Sequence, residues 1–177
     1  NVLLVNGRGQ HNDNYVWMPP PPWDIQPEQV RVSEADTATQ AEVDLASAYP
    51  VPLGLTSWKR TVSAEGGCFV VVDEMQSREP AIFTINWISP QTWSPDADDS
   101  YRLPQDWRLT VPAGVDAQTE PIIQARRFGK NDTTPSWTAL RLSNPKPLTH
   151  YRLVSVFTHT SAAVAPSELL ATWEARA

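Results

Sequence analysis

Residues 58–90 read WKRTVSAEGGCFVVVDEMQSREPAIFTINWISP, and the fold class follows from them. Trp58-Lys59-Arg60-Thr61-Val62 alternates bulky apolar residues with charged or polar ones, the period-2 pattern of a half-buried strand. Ala64-Glu65-Gly66-Gly67 supplies a turn, because glycine accepts the positive φ of tight hairpins. Cys68-Phe69-Val70-Val71-Val72 is apolar on both faces, as expected of a central strand covered on both sides. Asp73-Glu74 closes that run and Ser77 to Pro80 forms the next turn. In the third run Phe83, Ile85 and Trp87 share one face, Thr84 and Asn86 the other, until Pro90, which cannot donate to a ladder, ends it. Three strands in this order predict an antiparallel meander at the centre of an all-β domain.

The rest of the chain agrees with that class. Its 177 residues, 41% of them apolar, suffice for one sizeable β-sandwich domain spanning 1–177. Seventeen prolines, about twice the usual ~5% share, predict few or no helices and many loops. A net charge of −6 without a basic run leaves nucleic acid no electrostatic footprint. No apolar run approaches the ~20 residues of a membrane-spanning helix. Cys68 is the single cysteine, so there is neither a disulfide framework nor a cysteine-based zinc site. On an apolar strand it reads as a buried, inert thiol.

Upstream, Asn1-Val2-Leu3-Leu4-Val5 is already a strand, followed by the turn Asn6 to Gln10. A chain that starts inside a strand reads as a piece of a larger one. His11 to Pro27 is a loop carrying the stiff proline run 19–22, with Tyr15, Trp17 and Trp23 around it. Strands are expected at Gln29 to Ser33 and Ala41 to Ser47. Downstream, Gln91 to Gln105 reads as a long exposed loop and Trp107 to Val111 as a strand. Ile122 to Phe128 and Trp137 to Leu142 read as a pair joined by the turn Gly129 to Pro135. His150 to His159 alternates as a strand, and Leu169 to Trp173 reads as the closing one. Short strands between Pro, Gly and Asn turns predict a sandwich of stacked antiparallel sheets, not a βαβ layout.

Two sets of residues, in this order and spacing, resemble the β-sheet region of the heparinase II/III-like polysaccharide lyases. The first is Asn1-Val2-Leu3-Leu4-Val5-Asn6-Gly7-Arg8-Gly9-Gln10. The second runs from Val43-Asp44-Leu45-Ala46-Ser47-Ala48-Tyr49 through Trp58-Lys59-Arg60 and Phe69-Val70-Val71-Val72-Asp73-Glu74 to Phe83-Thr84-Ile85-Asn86-Trp87. The resemblance covers roughly the first half of the chain. It implies a parent protein with an α/α toroid ahead of the sheets, periplasmic or secreted in a bacterium. Such a parent cleaves uronic-acid-containing polysaccharides, glycosaminoglycan or alginate, by β-elimination. A base removes the proton α to the carboxylate, a neutralising group stabilises the enolate, and an acid assists the leaving oxygen. The toroid's catalytic Tyr and His lie upstream of Asn1 in this resemblance, so the chain holds no catalytic residue of its own. The implied partners are an acidic polysaccharide or oligosaccharide and the toroid.

Some members of that family hold a divalent metal such as zinc in the sheet region, on two histidines and an aspartate. The aspartate matches Asp44; one histidine would precede Asn1, and where the other is expected this chain has Ile88-Ser89-Pro90. Serine is a poor zinc ligand, and Asp44 reads more simply as a turn or strand-end carboxylate accepting local N–H groups. Asp73 and Arg60 match recurring family positions and also read as a carboxylate–guanidinium pair closing a sheet edge. His150 and His159 read as surface residues. In the proline loop, His11, Tyr15, Trp17 and Trp23 have the composition of a sugar contact, aromatic faces for the ring and polar groups for its hydroxyls. The two tryptophans read equally as pins holding the proline run to the sheet. Two functions therefore stand: one wall of a lyase's substrate cleft, or a stand-alone carbohydrate-binding sandwich. A structural immunoglobulin-like domain lacks support, because its Cys-Trp-Cys signature is missing.

Overall fold

The structure is a computed structural model, described over residues 2–9, 30–35, 38–65, 67–96, 99–103, 105–122, 137–162 and 164–176. It is an all-β sandwich of two antiparallel sheets. The smaller has the order β1 (Val2–Val5), β6 (Phe83–Ser89), β11 (Trp137–Ser143), β10 (Asp116–Ile122). The larger has eight strands, in the order β2 (Arg31–Ala35), β3 (Ala38–Asp44), β4 (Leu55–Glu65), β5 (Cys68–Ala81), β12 (Leu148–His159), β9 (Trp107–Thr110), β8 (Ser100–Leu103), β7 (Ser94–Pro95).

The β4–β5 hairpin forms as expected, with Glu65 paired to Cys68 and Gly67 at φ +79° in the turn. β5 is central, flanked by β4 and β12. Its odd-numbered residues Val71, Asp73 and Met75 face the smaller sheet. Its even-numbered Cys68, Val70 and Val72 face the other way. The expectation fails further along. Asp73-Glu74 and Ser77 to Pro80 do not end the strand, which runs unbroken to Ala81. The third run is not part of a meander either: after Ile82 alone, β6 begins in the opposite sheet.

That corner is held by two asparagines. Ile82 N–H donates to Asn6 Oδ1 and its carbonyl accepts from Asn6 N–H. Asn144, buried, accepts from Phe83 N–H through Oδ1 and donates through Nδ2 to the carbonyls of Ala81 and Lys146. A chain leaving one sheet for another interrupts its ladder, and these side chains satisfy the freed backbone groups.

The principal core lies between the sheets: Leu3, Val5, Phe83, Ile85, Leu140 and Leu142 from one side, Trp58, Met75, Leu109 and Leu153 from the other. Tyr49 ties the layers together. Its hydroxyl donates to the Leu3 carbonyl at 2.8 Å and accepts from Leu3 N–H at 3.2 Å, replacing a neighbouring strand along the edge strand β1.

A second cluster covers the far face of the larger sheet, and it corrects another expectation. Leu169 to Trp173 is no closing strand but part of α1 (Pro166–Glu174), which packs Leu169 and Trp173 onto Val70, Val72, Val154 and Val156. Pro166 sits in the first turn, where its missing N–H costs nothing. Arg152 donates to the Trp173 carbonyl at the other end, at 2.8 Å. The expected loop 91–105 contains β7 and β8. The partner of β11 is β10, upstream of the expected Ile122 to Phe128 run, most of which lies outside the described residues.

Candidate functional site

β5 and β6 diverge from the corner at Ile82, and at the opposite end of the sandwich the chain recrosses from β6 to β7 through residues 90–93. The smaller sheet ends there at Ser89 and Trp137, which lie at the start of β1. The larger sheet continues further, and its inner face runs out of cover: Phe69 is 46% exposed and Val62 37%. Trp107 packs against Phe69 with ring centroids 6.0 Å apart, and against His159 at 5.5 Å, edge to face. Ser161 N–H donates to His159 Nδ1, and the Ser161 hydroxyl is 2.6 Å from the same nitrogen. This open end thus carries an aromatic row which sequence periodicity does not reveal, because its members lie on three different strands.

Behind the row is a buried polar cluster. Asp73, fully buried, accepts from Arg60 Nε at 2.8 Å, from Arg60 Nη2 at 2.9 Å and from Trp58 Nε1 at 2.7 Å. The guanidinium lies 5.0 Å from the Trp58 ring and 5.3 Å from the Trp87 ring, and Trp87 meets Phe157 edge to face at 4.9 Å. The pair does not close a sheet edge. Arg60 and Asp73 are register partners on neighbouring interior strands, facing the smaller sheet. An arginine whose charge is matched by a bidentate carboxylate and shielded by two indoles acts as scaffold. With three donors on it, Asp73 is equally committed.

Asp44 ends β3, with Oδ1 accepting from Ala46 N–H at 2.9 Å and Trp58 N–H at 3.2 Å and Oδ2 accepting from the Ser57 hydroxyl at 2.9 Å. Its carboxylate organises the chain's exit from β3 into the 3-10 turn Ala46–Ala48. Among the described residues no group of three or more His, Cys, Asp or Glu side chains is placed to hold a metal. His11, Tyr15, Trp17 and Trp23 lie outside the described residues. His150 is exposed on β12, and His159 is half-buried against Trp107.

Burial fixes the protonation of several groups. Tyr151 is pushed up to about 12 by burial, and Tyr101 is raised by burial and then by the charges of Asp99 and Asp116. Both phenols stay protonated at neutral pH and neither can act as a phenolate base. Cys68 is buried, and its thiol is raised by burial and then by the Glu65 charge, which makes it a poor nucleophile.

No family profile matches the chain, and no curated protein does. Solved structures do. A heparan sulfate lyase HepC from Pedobacter heparinus superposes with a TM-score of 0.61 at 10% identity, covering 93% of this chain and 24% of that one. Heparinase III, the BT4657 gene product, superposes with a TM-score of 0.59 at 13% identity, covering 92% of this chain and 24% of that one. The fold therefore resembles the β-sandwich region of heparinase III. The chain spans about a quarter of the length of the lyases it matches.

Proposed function

We propose that this chain is the sheet domain of a heparinase III-like polysaccharide lyase, forming one wall of a substrate cleft whose other wall is an α/α toroid. The observation that carries the reading is the superposition of more than nine-tenths of the chain on two such lyases. The uncovered aromatic surface of the open end supports it, since pyranose rings stack on such faces. His11, Tyr15, Trp17 and Trp23 would join that wall, supplying stacking faces and polar contacts to an acidic polysaccharide. In the parent, β-elimination needs a base for the proton α to the uronate carboxylate, a group neutralising the enolate, and an acid at the leaving oxygen. This chain would orient the sugar and exclude water on one side, while the toroid supplies the base. A periplasmic or secreted setting, where such polymers are met, belongs to the same reading.

A divalent metal such as zinc at Asp44 would need further ligands from outside the described residues, because the described ones place no group of three His, Cys, Asp or Glu side chains together. Chelation then separates the two roles of Asp44. A metal ligand makes the parent's melting temperature fall with EDTA, whereas a turn cap leaves it unchanged.

The deciding experiment incubates the parent protein and the isolated chain with heparan sulfate and with alginate, following the ultraviolet absorbance of unsaturated uronate. Product from the parent and none from the isolated chain is expected. Product from the isolated chain, or none from the parent on any uronate polymer, overturns the reading.

A further inference from the structure

At the open end, where β10 finishes and β11 begins near Pro90, there is a groove of about 390 Å³. Trp137, Glu120 and the hydroxyl-bearing Thr92, Thr119 and Thr138 line it, between two prolines. Trp137 is 37% exposed, whereas Trp58, Trp87, Trp93 and Trp173 are all buried. Glu120 is fixed by Arg141, whose Nη1 lies 2.7 Å from Oε2. The carboxylate is thus oriented and partly neutralised, and it retains acceptor capacity.

We propose that this groove is a subsite for an uncharged pyranose unit of a polysaccharide. An indole face beside the groove matches the apolar face of a pyranose ring. A fixed carboxylate accepts from a vicinal pair of hydroxyls, and the threonines donate or accept around the rim. Charge pairing selects the ring. Glu120 is the only ionisable residue among the described lining and it engages Arg141, so a uronate carboxylate or a sulfate would have to compete with Glu120 for that cation, where a neutral hexose or N-acetylhexosamine meets an acceptor. In a polymer that alternates uronate with a neutral sugar, the groove would hold the neutral unit and set the register of the acidic one. The setting rests on the lyase reading; the binding itself is a property of this chain.

The test is calorimetric titration of the full 177-residue chain with cellotetraose and chitotetraose as neutral probes and tetragalacturonate as the acidic one. Saturable binding of at least one neutral probe is expected, weakened about tenfold by Trp137→Ala and only slightly by Trp137→Phe, which keeps a ring. Glu120→Gln should weaken the neutral probe several-fold and narrow the gap to the acidic one. Melting temperatures of the three variants should match the parent sequence, since Trp137 and Glu120 are exposed. No saturable heat from either neutral probe, or binding indifferent to Trp137→Ala, overturns the inference. So does tighter binding of tetragalacturonate. If the parent forms unsaturated uronate while this chain ignores neutral sugars, the subsite fails and the lyase reading stands. The opposite pair of results keeps the subsite and removes the lyase.

Discussion

Asp73, itself fully buried, takes three hydrogen bonds, from Arg60 and from Trp58. Removing one partner of such a pair leaves an uncompensated charge, at a cost of about 3–5 kcal/mol. Asp73→Asn should therefore lower the urea midpoint sharply. Arg60→Met placed on top of it should recover most of the loss, because the stranded guanidinium is gone and Trp58 keeps an acceptor. A midpoint for Asp73→Asn equal to the unmodified chain would show that water reaches the pair. Tyr151 gives a second test. Its folded pKa of about 12 exceeds the ordinary value of 10.0, so below pH 10 the phenol is protonated in both states and stability is unaffected. Between pH 10 and 12 only the unfolded chain gives up the proton, and stability falls as pH rises. Tyr151→Phe should flatten that decline in denaturation curves collected from pH 9 to 12. Residues 60 and 73 were readable in the sequence as a pair, because Asp73 ends an apolar run and Arg60 lies on the strand before it. Their setting was not, because Trp58 and Trp87 meet them through tertiary packing.

Strand β5 shows how far an element can be read from its letters. The apolar half, Cys68 to Val72, is unmistakable, and its being apolar on both faces gives its central place. The second half, Asp73 to Pro80, looks like a turn because its charges and proline lack partners in sequence; pairing with β4 and β12 keeps it extended. Helix α1 was misread for a different reason. Leu169 and Trp173 are four residues apart behind Pro166, the spacing of one helical face, yet five residues in an otherwise β chain give periodicity little to work with. The test at this scale is Val71→Asp. Val71 faces the core between the sheets, and a carboxylate there has no partner, so the loss should be on the order of several kcal/mol. An unchanged melting temperature would show that the inner face of β5 is wet.

For the whole molecule, the all-β sandwich was legible from alternation and turn chemistry. The assignment of strands to sheets was not, because the crossing at Ile82 depends on Asn6 and Asn144, which are distant in sequence. Asn144→Ala would strand the Phe83 N–H and the Ala81 carbonyl, at about 1–3 kcal/mol for each buried group left without a partner. Its thermal melt should shift down while remaining a single transition, since both sheets share one core. Two separate transitions would show that the sheets unfold independently.

The corner has one more consequence. Where the chain passes between sheets in a single residue, bond lengths fix their separation closely; at the far end the crossing from Ser89 to Ser94 takes residues 90–93 and holds it less closely. The sandwich is bound tightly along one side and loosely along the other, and its thermal breathing should grow towards the loose side. Amide protons should accordingly exchange with deuterium slowest around Ala81 to Ile85 and progressively faster towards Gly67 to Phe69 and Trp107. The surface bearing the aromatic row and the Trp137 groove is thus the part of the molecule best able to adjust to what it holds.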